Sequence, residues 1–206
     1  MNLSFDADTV SSLAEMLAEH VGEVHLVPAA HLSLWLPELR MPDRWKETSP
    51  DGVVTRMLRR RIRDEARWDA CEVINIYRVA GAIPDSLVHE QVARSLRDSG
   101  AHAIRSQPVD IPLQYNVIAA QATGLLSLGD DILHSQYTDY AVNTAAGSAL
   151  IEQIILVVGG SLSVLKDELA ALSTGLQRAL LASIDRTHLS PARAEIRTSD
   201  PSLGES

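Results

Sequence analysis

The chain has one cysteine, Cys71, one phenylalanine, Phe5, and no long apolar run. A lone thiol cannot close an internal disulfide or furnish a Cys-rich zinc module, and it favours a reducing compartment. The longest apolar stretch, residues 150–158, is interrupted by Glu152 and Gln153 and is too short to span a bilayer. Aromatics amount to 4%, so the core is aliphatic, and the three Trp and four Tyr are available for edges, grooves or interfaces. Positive charge is scarce. Eighteen Lys and Arg stand against 27 Asp and Glu, a net charge of −9, which disfavours nucleic acid or an anionic membrane as a general partner. The first eight residues contain neither a basic n-region nor an apolar h-region, so the expected location is the cytoplasm.

Chemical signatures are equally sparse. The seven His, at positions 20, 25, 31, 89, 102, 134 and 188, include no pair at the i, i+4 spacing that puts two imidazoles on one metal. His25 and His31 are the pair that two short strands would bring together; as isolated residues they read as surface or turn histidines. There is no Gly-x-Ser-x-Gly elbow to place a serine on a strained turn. Ser161, after Gly159 and Gly160, stands before a helix, where it reads either as an anion site or as an ordinary N-cap. The expectation is a protein without catalytic residues, metal or cofactor.

What is present is a foldable globular composition: 46% apolar and 22% charged residues, enough for one sizeable domain. Asp8 to Gly22 reads as a helix carrying Val10, Leu13, Leu17 and Val21 on one face. Residues 23–28 and 31–36 read as two short β runs. Pro37, Pro42 and Pro50 then interrupt regular structure and leave a turn that presents Trp45. Val54, Met57, Leu58 and Ile62 predict a helix over 53–69. Residues 71–79 alternate as a strand, and 83–100 form a second helix opened by Pro84 and Asp85. Residues 101–109, with Pro108, suit an edge strand.

The most informative region is the last third, where three strand runs, 113–126, 132–144 and 149–158, lead into an amphipathic helix over 161–184. Gly129-Asp130-Asp131 makes the first two hairpin partners, while Tyr137 and Tyr140 fall on opposite faces unless a bulge intervenes. Residues 154–158 are apolar on both faces, as in a central strand. This order predicts an α+β domain, an antiparallel β-sheet flanked by helices, with a long C-terminal amphipathic helix. Residues 1–22 are read as an N-terminal helix packed on the domain, 23–184 as the domain, and 185–206 as a disordered tail.

Two groups of residues are candidates for recognition. Trp45, Tyr77, Tyr115, Tyr137 and Tyr140 are either core aromatics or the lining of an apolar groove for a hydrophobic ligand or peptide. Between Arg56 and Arg67, six arginines oppose two acids, leaving a local +4 in a chain whose remainder carries about −13. Within it Arg59, Arg60, Arg61 and Arg63 are candidate anion contacts, the alternative being a solvated helix face or a contact to the acidic remainder of a partner copy. Cys71 reads as a small core residue.

The segment Met41-Pro42-Asp43-Arg44-Trp45, then Val73-Ile74-Asn75-Ile76-Tyr77-Arg78, a helix, and a hairpin ending in Gln136-Tyr137-Thr138-Asp139-Tyr140 resemble the actinobacterial LpqN family over roughly residues 23–184. The resemblance implies a PsbP-like α/β/α sandwich and a non-enzymatic binding or accessory role. Family members commonly carry a leader with a Cys near the start; here Cys71 sits in a strand instead.

The leading functional expectation is therefore an accessory or binding protein that offers a sheet face or apolar groove to a protein partner or a hydrophobic small molecule, with homo-oligomerisation left open. A small hydrolase or transferase built on His134, Asp139 and a serine is the alternative. A nucleic-acid-associated protein using the arginine segment ranks last.

Overall fold

Alternation along the chain becomes an eight-stranded antiparallel sheet in the computed structural model, which describes residues 13–48, 54–61, 68–144 and 147–188. The strands are β1 (Val24–Leu26), β2 (Trp45–Glu47), β3 (Arg56–Arg60), β4 (Ala70–Val79), β5 (His102–Pro108), β6 (Val117–Leu128), β7 (Asp131–Thr144) and β8 (Gly147–Val158). The helices are α1 (Leu13–His20), the single turn α2 (Leu32–Trp35), α3 (Asp85–Asp98) and α4 (Leu162–His188). Strand order is β2-β3-β4-β8-β7-β6-β5, with β1 sharing an edge of β4 with β3. β8 is central, in keeping with its apolar residues on both faces. Gly129, at φ 60°, supplies the left-handed residue that lets β6 turn straight into β7.

Register then assigns every side chain to a face. On one face Tyr77, Val79, Leu150, Tyr137, Ala141, Ala120 and Ala122 meet Leu13, Leu17, Val88, Val92 and Leu96 of α1 and α3. On the other, Ile74, Ile76, Ile151, Tyr140 and Val142 lie under Leu176, Ala179 and Leu180 of α4. Farther along the same face, Trp45, Leu58, Ile155 and Val157 lie under Leu165 and Leu172. The sheet is thus covered by helices on both sides. Burial of Leu165, Leu172, Leu176 and Leu180 contributes roughly 6–12 kcal/mol before conformational entropy is subtracted. α1 is held close to the loop after β4, where a Cβ on Gly81 would meet Val21 Cγ1 at 2.7 Å.

Four expectations change. The arginine segment is strand over Arg56–Arg60, because its period is two: Arg56, Leu58 and Arg60 turn inward while Met57 and Arg59 take the other face. Residues 29–35 are a 3-10 turn followed by α2, with Leu32, Trp35, Leu36 and Leu39 grouped against the core beneath α4 at helical rather than alternating spacing. The strand expected from residue 113 starts at Val117, after a 3-10 turn, Leu113–Tyr115, that Asn116 ends in the left-handed region. Trp45 begins β2 instead of being presented by the proline turn. Asp8, most of the expected tail and Arg63 lie outside the described residues, while 185–188 continue α4.

Candidate functional site

The aromatic candidates separate. Trp45 is 3% exposed, and its indole Nε1 donates to Glu168 of α4 at 2.8 Å. Tyr140 is buried under α4, and burial pushes its phenol up to about 12. Tyr137 and Tyr77 lie on the opposite face, where the Tyr137 hydroxyl is 3.4 Å from Ser99 Oγ. Tyr115 ends the 3-10 turn that precedes β6, half-buried, and donates to Asp185 of α4 at 3.2 Å.

The arginines are largely consumed by the fold. Arg60 pairs with Glu168 through Nε at 2.9 Å and Nη2 at 3.3 Å, and Trp45, its cross-strand neighbour, donates to the same carboxylate. Hydrogen bonds from Arg60 and then Trp45 hold Glu168 below the usual carboxylate range. Arg60 Nη1 also donates to the Arg61 carbonyl. Arg59 rests against Met57 Sδ at 3.7 Å. Arg56, deeper in, meets Glu72 at 2.6 Å, and Gln153 donates to the second oxygen of that carboxylate at 2.7 Å. At the entrance to α4, Ser161 Oγ donates to Asp69 at 2.7 Å, so a carboxylate of the chain itself stands at the position read as an anion site.

One pairing of acids escaped the sequence reading. Asp139 and Glu152 are directly paired across β7 and β8, beneath α1, and are 6% and 7% exposed. Glu152 accepts hydrogen bonds from Asn75, Tyr77 and the Ala14 backbone N–H. Burial is the main reason its carboxyl is raised to about 7, and burial followed by Glu152 raises Asp139 well above the usual range. The available signal was phase: both acids stand mid-strand on the side that also carries Leu133, Tyr137 and Ala141 of β7 and Leu150, Ile154 and Leu156 of β8. His134, by contrast, is on the face under α4, so His134 and Asp139 point to opposite sides of one strand and do not form a triad. Cys71 is buried, which pushes its thiol up to about 11 and makes the thiolate scarce. Among the described residues no three His, Cys, Asp or Glu side chains converge as a metal site.

The arrangement with room for a ligand is a cleft of about 1190 Å³ at the C-terminal end of α4. Its floor is sheet: Arg78, Ala149 and Val142 lie side by side in one cross-strand row, with Ile151 in the next. Leu180, Ser183 and Ile184 of α4 form one wall, and Leu34, Trp35 and Leu36 another. Gln114, Tyr115 and Asn116 close a third side. The walls are tied together, since Arg186 pairs with Glu38 and Tyr115 with Asp185. Leu34 is 76% exposed at the cleft and Leu113, beside Gln114, is 97% exposed. Of the candidate residues that are described, only Tyr115 lines this cleft. A smaller cavity of about 480 Å³, lined by His134, Gln136, Arg105, Leu162 and Leu169 among others, lies near the other end of α4.

No protein-family model and no curated protein matches the sequence. Among solved structures, the fold is similar to that of LpqN of Mycobacterium tuberculosis, a protein involved in cell envelope biogenesis, with a TM-score of 0.60 at 11% identity, covering 79% of this chain and 94% of that one. The cyanobacterial PsbP (CyanoP) of Synechocystis sp. PCC 6803 aligns with a TM-score of 0.43 at 14% identity, over 66% of this chain and 82% of its own. No described helix is long and apolar enough to cross a membrane. The chain shares an α+β architecture with LpqN, a large antiparallel sheet with a long C-terminal helix, and the likeness is one of fold.

Proposed function

We propose that this protein is a non-catalytic binding protein that holds a hydrophobic small molecule in the cleft between α2, the C-terminal end of α4 and the sheet. The observation that carries the reading is the cleft itself: about 1190 Å³, with a mainly apolar lining that includes Val142, Ile151, Leu180 and Ile184, and a few polar groups among which is Arg78. Ligand pockets usually measure about 300–1000 Å³ and combine an apolar lining with a few polar groups, so this cleft has room for an elongated apolar molecule. Exposed Leu34 and Leu113 give such a molecule an apolar approach from solvent. Nucleic acid is left out of the reading because Arg56 and Arg60 are engaged by Glu72 and Glu168. The cytoplasm is the proposed compartment, supported by the single unpaired Cys71.

The test is saturable uptake of an uncharged fluorescent probe, N-phenyl-1-naphthylamine, by the native protein and by Ala149→Trp. Ala149 is a small residue of the cleft floor, between Arg78 and Val142, and an indole there fills the space. Wild type is expected to bind saturably, and the variant to lose binding while keeping its melting temperature within a few degrees. Absence of saturable uptake by wild type, or equal uptake by a folded variant, overturns the proposal.

A further inference from the structure

Deepening that reading, and resting on it, we propose that the cleft's ligand is an anionic single-chain amphiphile whose headgroup pairs with Arg78. Three charged or titratable side chains line the cleft beside Tyr115: Glu23, His25 and Arg78. Glu23 and His25 engage each other, with His25 Nε2 3.3 Å from the Glu23 carboxylate. Arg78 has no ion pair or side-chain hydrogen bond among the described residues, unlike Arg56, Arg60, Arg94 and Arg186, each of which meets a carboxylate.

Its placement is what gives the free guanidinium a direction. In β4, Arg78 comes after Ile74 and Ile76 on the face under α4, and it shares a cross-strand row with Ala149 and Val142. One end of an apolar floor therefore carries a cation. The small side chain of Ala149 beside it leaves the floor open where a chain would begin. A guanidinium offers a planar fork of donors that fits a carboxylate or phosphate in two parallel hydrogen bonds, and it is charged at every physiological pH. A ligand with an apolar tail on Val142, Ile151 and Leu180 and an anionic head at Arg78 satisfies both parts of the cleft.

The experiment is calorimetric titration at pH 7.5 of wild type, Arg78→Gln and Arg78→Lys with dodecanoate, dodecyl phosphate and dodecan-1-ol. All three share a tail and differ in the head. Wild type is expected to prefer the anions over the alcohol by about tenfold or more, since a charge-assisted hydrogen bond is worth that much. Arg78→Gln is expected to bind the anions no better than it binds the alcohol, and Arg78→Lys to retain part of the preference. The two anionic arms distinguish a carboxylate from a phosphate head. Equal binding of all three by wild type, or a preference that survives in Arg78→Gln, overturns this inference and leaves the hydrophobic cleft standing. Failure of every amphiphile to bind wild type overturns the cleft reading itself. Arg78 is exposed, so loss of fold does not confound the variants, and melting curves verify this.

Discussion

Arg56 and Glu72 occupy adjacent strands at 5% and 0% exposure, a charge pair taken out of water, with Gln153 donating to the second oxygen of the carboxylate. Removing one member leaves the other buried and uncompensated, a larger penalty than the pair's own net contribution. Arg56→Met is expected to lower stability by about 3–5 kcal/mol, read from urea denaturation, while Arg56→Met with Glu72→Leu recovers most of the loss. A single-variant cost below about 1 kcal/mol would show that water reaches Glu72. The sequence displayed these arginines as a basic cluster, and charge counting suggested a surface. Their burial was not legible, because the partners Glu72 and Glu168 lie far along the chain and reach them only through strand pairing and the return of α4.

The hairpin of β7 and β8 puts two carboxyl groups opposite each other under α1, an arrangement that disfavours ionisation of both. The pH dependence of stability has a definite sign. Glu152 has a folded pKa of about 7, above its unfolded value of roughly 4.3, so its contribution is fully present below the unfolded value and is lost as pH rises through about 7. The loss is on the order of 3 kcal/mol and comes from burial of the ionised carboxylate. Glu168 acts the other way: held below its ordinary range, it loses its contribution as pH falls through its folded pKa. The melting temperature is expected to decline between pH 5 and 8.5, and Glu152→Gln to flatten that decline and melt higher than wild type at pH 8. The same slope in Glu152→Gln and Asp139→Asn would sink this account. The tyrosine phases in β7 were readable, since Tyr137 and Tyr140 take opposite faces and the β6–β7 register runs without a bulge. The acid pair was not, because single-strand alternation does not reveal which residue of the next strand stands opposite.

The whole molecule is one sheet with separately packed faces, and its response to core changes should reflect that. Ile83 belongs to the layer beneath α1 and α3, and Ile151 to the layer beneath α4. Ile83→Val and Ile151→Val are each expected to cost about 0.5–1.5 kcal/mol, and the double variant their sum to within about 0.5 kcal/mol, as read from denaturant titration. A larger deviation would mean that strain passes through the sheet. The cleft also belongs to this scale, since it requires α2, the turn before β6, the ends of β4, β7 and β8, and the last turns of α4.

Composition, alternation and leucine spacing, all local in the chain, were enough to specify strands 71–79, 132–144 and 149–158, the long final helix and the antiparallel α+β class. They specify these because backbone geometry converts a period of two or 3.6 residues directly into a face. The resemblance to the LpqN family holds at the level of fold. Tertiary structure alone decided that Trp45 and Arg60 lock α4 onto β2 and β3, that Asp139 meets Glu152, and that Arg78, without an ion pair among the described residues, lies on the floor of the cleft. Each of these depends on register and on which residues distant in sequence arrive opposite one another, and periodicity within a segment carries no information about its partner.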